Sequence, residues 1–413
     1  MEIHPILATL LRSKTGAILI ALQVAISFAI LANALHIVDL RQAVAARPSG
    51  LHDEASVFYI GVHHLSRGSH SEQLARQHAE TLALRAVGGV VSVAWTSQMP
   101  MSRSGWTTSL ATDRKQLQPS AFASFYNTPD SLVRTLGLKV VEGRDLVDSD
   151  VSVIDTAAAG GDATADALLV TRALADKLFP GATSVVGRTI YMGTGEGANP
   201  AHIVGVIDVL QAFDAKTGPE GYMSMVSPAR LTNTFDSSYA VRSEPGQRDR
   251  VMREAESALR RTSTMPVVLK SRTVEQDRTR RYQADRALAW MLVTVSVLLL
   301  LTTASGIVGM ASLWVNQRRK QIGVRRALGA RRADILRYFL IENFMITSLG
   351  VLAGVLLALA LNQLLVGRLG MERLPLGYLL AGAGLFWTLG AGAAYGPAWR
   401  AASISPAIAT RTA

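Results

Sequence analysis

Residues 287–315 read ALAWMLVTVSVLLLLTTASGIVGMASLWV, and residues 318–330 follow as RRKQIGVRRALGA. The first stretch has no charge and exceeds the roughly 20 apolar residues that a bilayer-crossing helix needs. Trp290 and Trp314 stand near its two ends, where aromatic belts form. Behind it, Arg318, Arg319, Lys320, Arg325, Arg326, Arg331, Arg332 and Arg337 are opposed only by Asp334. An uncharged span followed at once by a basic loop points to a membrane protein with that loop on the cytoplasmic side.

Working outward, three more stretches qualify as spans: 16–35, 338–366 with Glu342 near its start, and 376–394. The first contains Gln23, Ser27 and Asn33 but no charge. Arg12 and Lys14 before it, and Ala32-Asn33-Ala34 within it, resemble a signal peptide. Its apolar run is longer than the roughly 7–15 residues of a signal h-region, so an uncleaved anchor is expected. Length and the following fourth span favour a membrane helix over a buried core helix for 338–366. Lys/Arg flanks then put both termini inside the cell, with Arg400 and Arg411 in the tail.

The division expected is an N-terminus (1–15), span one (16–38), a large external domain with a stalk (39–285) and span two (286–315). A cytoplasmic loop (316–337), span three (338–366), an external loop (367–375), span four (376–396) and a cytoplasmic tail (397–413) follow. The fold class is four transmembrane α-helices with a large α+β extracytoplasmic domain inserted between the first and second.

The chain has 413 residues and a net charge of +11. The densest basic cluster lies between two spans, within reach of anionic lipid, which disfavours nucleic acid. With no cysteine, disulfides, thioester lipidation and thiolate metal sites are excluded.

In the external domain, Ser56–Val62, Val90–Ser97, Ala167–Thr171, His202–Val209 and Pro266–Lys270 read as strands. Ser71 is expected to cap a helix reaching Val87. Thr128-Pro129-Asp130 opens a short helix to Leu136, another helix follows Thr171 and ends near Phe179-Pro180-Gly181, and Gly246–Thr262 is a polar helix. Asp148–Asp166, rich in Ala, Asp and Gly, reads as a loop. No glycine or proline occurs from Thr273 to Ser305, so one helix can leave the membrane unbroken and form a stalk of roughly 15–20 Å. His36–Ala46 extends span one in the same way.

In the basic loop, Ile322, Val324 and Leu328 alternate with arginines between Gly323 and Gly329. Charge alone fits a topogenic loop touching lipid head groups. The apolar interleaving suggests a docking surface as well: a short helix presenting Ile322 and Leu328 to a cytoplasmic partner. The segment Arg318–Ala330, followed by Ile335, Leu336, Phe339 and Glu342, resembles the hallmark of FtsX-like/MacB-type permeases. Gly396-Pro397-Ala398-Trp399-Arg400-Ala401-Ala402 with Ser405-Pro406-Ala407 resembles that family's closing motif. Leu136-Gly137-Leu138 through Glu142-Gly143-Arg144-Asp145 is similar to MacB-type periplasmic domains. So is the series Leu174-Ala175, Phe179-Pro180-Gly181, Val186-Gly187-Arg188 and Ile203-Val204-Gly205-Val206.

The resemblance implies an ABC permease of the bacterial inner membrane that passes ATP-driven motion to a periplasmic domain. Ile322, Gly323, Val324, Arg325, Arg326, Ala327, Leu328, Gly329 and Ala330 match the coupling region that meets an ATPase dimer. A second permease subunit, identical or paralogous, is implied, and a periplasmic adaptor is a further candidate partner. Gln321 departs from the family, which usually has Glu there.

No G-x-x-x-x-G-K-[ST] loop occurs. MacB proper carries its ATPase ahead of the first span, where this sequence has residues 1–15, so ATP and magnesium are expected on a separate ATPase and no cofactor is expected on this chain. No catalytic motif stands out. His63-His64, adjacent on a strand, point to opposite faces and do not suggest a shared metal. Glu342 is expected to pair with Arg337 or Arg326. The expected task is export of peptides, antibiotics or similar compounds. The alternatives are a regulator of cell-wall hydrolases, a lipoprotein-releasing permease, or, without motif support, a membrane-bound enzyme.

Overall fold

The computed structural model describes residues 14–157, 165–234, 236–369 and 372–403. Arg12, Ser405, Pro406, Ala407 and Arg411, used in the sequence reading, lie outside them. Helices in chain order are α1 (Lys14–Ala45), α2 (His70–Arg85), α3 (Leu132–Leu136), α4 (Arg172–Leu178), α5 (Arg248–Thr262), α6 (Val274–Gln317), α7 (Arg319–Ala327), α8 (Arg332–Leu369) and α9 (Leu376–Ala402). Two compact units emerge: Met1–Ala43 with Asp285–Ala413, and Val44–Ala284.

The first unit holds four helices long and apolar enough to cross a membrane, in α1, α6, α8 and α9. All run past the expected span limits. At 44 residues, α6 is roughly 66 Å long at 1.5 Å per residue, about twice the hydrocarbon thickness. Absence of glycine and proline in its first 32 residues removes the usual cause of a kink. α1 likewise continues to Ala45, so both extended helices anticipated from sequence are present.

Within this unit α1 is the most enclosed helix. Val24 and Phe28 are buried, and glycines of its neighbours make room for them. A Cβ on Gly350 would come within 2.7 Å of Val24 Cβ, and one on Gly354 within 2.8 Å of Phe28 Cβ. Close approach through small residues is how helices pack where lipid offers no hydrophobic drive. Two polar contacts cross the seam: Ser27 and Thr303 hydroxyls lie 3.0 Å apart, and Asn33 Nδ2 donates to the Ala358 carbonyl at 3.1 Å as well as to Ala29 of its own helix at 3.0 Å. Leu298 and Leu301 on α6 stay exposed, as suits helices solvated by lipid.

The second unit is sheet-rich. Its strands are β1 (Val57–His64), β2 (Val90–Trp95), β3 (Thr107–Ala111), β4 (Ala121–Asn127), β5 (Val140–Gly143), β6 (Ser152–Asp155), β7 (Ala167–Thr171), β8 (Thr189–Met192), β9 (Asn199–Ile207), β10 (Ser224–Ser227), β11 (Ala229–Thr232), β12 (Asp236–Ser243) and β13 (Val267–Thr273). An antiparallel four-stranded sheet has the order β13-β1-β12-β2. Phe58, Ile60 and Val62 alternate onto the face where Leu84 of α2 and Val251, Ala255 and Leu259 of α5 form a core. A seven-stranded mixed sheet runs β5-β9-β7-β10-β4-β3-β8, and a second pairing of β9 with β8 closes it on itself. Leu110, Leu168, Val170, Ile190, Ile203 and Met225 fill its interior.

Several local expectations shift. Ser69, not Ser71, caps α2: its side chain accepts from Glu72 N while Glu72 answers its backbone N–H, a full capping box. Ser131 caps α3, one residue after the expected opening, and α5 starts at Arg248. The expected loop Asp148–Asp166 contains β6, paired in parallel with β11. Residues 158–164 of it fall outside the described residues. β3, β4, β5, β8, β10, β11 and β12 were not anticipated.

Candidate coupling site

The elbow between α6 and α8 is built from α7 and the turn behind it. Arg318 separates α6 from α7. Gly329, at φ +96°, supplies the left-handed backbone that ends the helical segment, a conformation that disfavours a side chain. Asp334 Oδ2 accepts from Arg331 N at 3.0 Å at the start of α8.

Ile322 is only 5% exposed and packs with Val315, Ile335, Phe339, Ala398, Ala401 and Ala402. The expected pairing of Ile322 with Leu328 on one outward face is therefore corrected: Ile322 is a root of the elbow. At 3.6 residues per turn, a residue six positions on lies roughly 120° around the helix, and Leu328 is 83% exposed. Val324 is exposed on the same elbow. Gly323 is buried, Arg325, Ala327 and Gly329 are exposed, and Arg326 and Ala330 are half-buried. The outward surface is thus Val324, Leu328 and a fringe of arginines, with Gln321 also exposed.

Glu342 finds neither Arg337 nor Arg326. Arg318 Nη1 donates to both its carboxylate oxygens, at 2.9 and 2.8 Å. Arg318 precedes Glu342 by 24 residues, so only the fold of the elbow brings them together. This pair ties the end of α6 to α8. Arg325 lies over the Tyr338 ring at 5.3 Å, and a cavity of about 220 Å³ opens beside it, lined by Gln321, Asp334 and Phe339 among others.

In the second unit, the first three turns of α6 are embedded in the domain. Arg278 Nη1 donates to the carbonyls of Ala45 and Arg47 at 3.0 and 2.9 Å, and Arg278 also bonds both oxygens of Glu54. One guanidinium thereby holds the end of α1. Burial raises the Glu54 carboxyl, but hydrogen bonds from Arg278 and Ser49 outweigh it and hold it below its ordinary value. Arg281 donates to the carbonyls of Asp214 and Ala215. The buried Tyr282 hydroxyl accepts from Gln211, whose carbonyl accepts from Tyr126. Within the first unit, Arg41 of α1 and Asp285 of α6 meet at 2.7 Å. None of these joints was named from sequence; the unbroken helix was the only signal.

The adjacent histidines separate as expected. His63 is exposed and 2.7 Å from Asp236, while His64 is buried 3.3 Å from Glu80. The Tyr239 hydroxyl donates to Glu80 at 2.6 Å. Among the described residues, no group of three or more His, Asp or Glu is arranged to hold a metal.

Four membrane-length helices, a sheet-rich domain inserted between the first and second, and an arginine elbow describe a multi-span membrane protein. Residues 18–258 match the MacB-like periplasmic core domain, and residues 293–406 the FtsX-like permease C-terminal domain. The chain belongs to this family of ABC transporter permeases.

Among similar proteins, the macrolide export ATP-binding/permease protein MacB of Bradyrhizobium diazoefficiens is 32% identical over 233 residues, covering 54% of this chain and 34% of that protein. MacB of Syntrophobacter fumaroxidans is 29% identical over 210 residues, with 50% and 28% covered. The pyoverdine export ATP-binding/permease protein PvdT of Pseudomonas syringae pv. tomato is 32% identical over 127 residues, with 31% and 19% covered. The chain thus spans about a third or less of the length of the curated relatives it matches. A solved permease domain from Porphyromonas gingivalis covers 54% of this chain and 90% of its own at 16% identity, with a TM-score of 0.31, too low to carry an argument.

Proposed function

We propose that this chain is the permease part of an ATP-driven export complex in the bacterial inner membrane, and that it passes motion from a cytoplasmic ATP-binding partner to its periplasmic domain. The observation that carries the reading is α6, one helix from the second unit to the elbow. An ATPase dimer docks on Val324, Leu328 and the surrounding arginines, with Arg325 and Arg326 meeting acidic side chains of the partner. Ile322 anchors the elbow from beneath. Displacement of the elbow enters α8 through Arg318–Glu342 and α6 through its C-terminal end. It reaches the domain along α6, and the Arg278 clamp passes it to α1. A second permease subunit completes the complex, a periplasmic adaptor receives the motion, and ATP and magnesium sit on the partner. The relatives named for macrolide and pyoverdine export support a cargo of peptides, antibiotics or similar compounds.

Leu328→Asp tests the docking surface. Because Leu328 is 83% exposed, the variant is expected to fold and insert normally while its co-purification with the ATP-binding partner falls at least tenfold. Ile322→Asp, in contrast, is expected to lower thermal stability by burying a charge. Undiminished association of Leu328→Asp removes the docking assignment.

A further inference from the structure

The four-stranded sheet has a second face, turned away from α2 and α5. Tyr59, Gly61 and His63 of β1 alternate onto it. In register beside Gly61 lie Ser238 of β12 and Lys270 of β13; beside Tyr59 lie Ala240 and Arg272. Towards Tyr59 this face is covered by the core containing Val57, Ala94 and Ala240. Towards Gly61 it is not covered, and an open cleft of about 600 Å³ stands over it, within the size range of small-molecule sites. Its floor is small: a Cβ at Gly61 would meet nothing closer than the Lys270 carbonyl oxygen at 3.7 Å.

The opposite wall is the segment before β3. It holds two non-glycine residues in left-handed backbone, Met101 and Arg103, both at φ 61°. Such conformations persist where surrounding structure over-determines them, and they cluster at ligand clamps. Here Met101 N donates to Ala212 O at 3.2 Å, Arg103 N to Phe213 O at 2.9 Å and Trp106 N to Gln98 Oε1 at 3.0 Å. The wall is therefore fixed, and it offers Trp106, 50% exposed, to the cleft.

The cleft carries two cations, Lys270 and Arg272, against one lining carboxylate, Asp236. Lys270 and Arg272, two residues apart on an edge strand, share its face. Arg272 is partly satisfied by Asp277 at 3.8 Å, whose other oxygen accepts from Tyr59 at 2.6 Å. Among the described residues Lys270 has no carboxylate within 4.0 Å, and Asp236 at the far end is engaged by His63 at 2.7 Å. A flat aromatic surface and a cation across a small floor suit one kind of guest.

We propose that this cleft binds a ring-bearing small molecule with a carboxylate or comparable anionic group, its ring on Trp106 and its anion on Lys270 with help from Arg272. The site stands on this domain alone, independently of how the elbow couples to ATP.

Equilibrium dialysis of the full chain in lipid nanodiscs tests it, using naphthalene-2-carboxylate, the neutral 2-naphthamide and the cationic 2-naphthylmethylammonium as probes against empty nanodiscs. Saturable retention of the carboxylate is expected, with the amide and the ammonium bound at least tenfold more weakly. Lys270→Glu and Trp106→Ala are each expected to weaken the carboxylate at least tenfold. Gly61→Leu fills the floor without an initial clash and is expected to abolish retention while thermal unfolding stays unchanged. Equal retention of the three probes, retention no greater than that of empty nanodiscs, or undiminished retention by folded Gly61→Leu overturns the proposal.

Discussion

His64 and Glu80 show what burial does to a pair of titrating side chains. Burial pushes the Glu80 carboxyl up to about 7, against a lowering hydrogen bond from Tyr239, and pushes the His64 imidazole down to about 4. Folded, the pair is a neutral acid beside a neutral imidazole and carries one proton. Unfolded, between about pH 4.5 and 6.5, it is a carboxylate and an imidazolium, again with one proton. Equal proton counts mean that this pair gives stability no slope in that window. Glu80→Gln removes the compensation. The remaining His64 has a depressed folded value, so its contribution is full above about 6.5 and is lost as pH falls towards 4. Urea melts of Glu80→Gln are expected to show stability falling by about 2 kcal/mol from pH 6.5 to 4, while the parent chain loses much less; parallel profiles would contradict the neutral pair. Alternation alone separated His63 from His64 in the sequence. That Glu80 waits on α2 beneath His64 was not legible, because a helix-to-strand contact leaves no local periodicity.

At the scale of elements, long apolar helices were easy to read and short strands were not. Span signals add up over some 20 residues, whereas β10 (Ser-Met-Val-Ser) is buried at every position and shows no alternation to detect. β6 hides in a segment rich in Ala, Asp and Gly because its stability comes from pairing with β11, far along the chain. α7 was anticipated as a helix with Leu328 outward, as it is, but Ile322 was expected beside it and turns inward instead. The apolar residues were visible, and the six-residue offset between Ile322 and Leu328 was the clue to their separation. For α6 the expectation of an unbroken rod leads to a direct test. Ala287→Pro removes a backbone donor and clashes with the preceding turn, at a cost of about 3 kcal/mol or more. In a complex with the proposed ATP-binding partner, the variant is expected to keep 44–284 as a protease-resistant core but lose any ATP-dependent change in its cleavage pattern, while Ala287→Leu is expected to keep it. Unchanged ATP response in the proline variant would show that α6 is not the transmitting element.

For the whole molecule, four spans, the inserted domain and the basic loop were legible because hydropathy and charge are read without knowing contacts. Closure of the seven-stranded sheet through β8 and β9 was not, since it depends on registers between distant strands. The cysteine-free sequence allows a direct test of orientation. Leu328→Cys introduces the sole thiol. A membrane-impermeant maleimide is expected to leave it unlabelled in intact spheroplasts and to label it after the membrane is opened. Labelling from outside would invert the arrangement on which the proposed coupling depends.

Phe28 gives that arrangement a mechanical character. Its Cβ and ring occupy hollows left by Gly354 of α8 and Gly382 of α9; a methyl added at either would approach within 2.8 to 3.0 Å of it. A rigid ring in such a seat behaves like a tooth between cogs: α1 has little freedom to spin or slide by itself. Under the proposed coupling, a shift that the elbow imposes on α8 is expected to turn the first helix too, so that the bundle answers as a geared set.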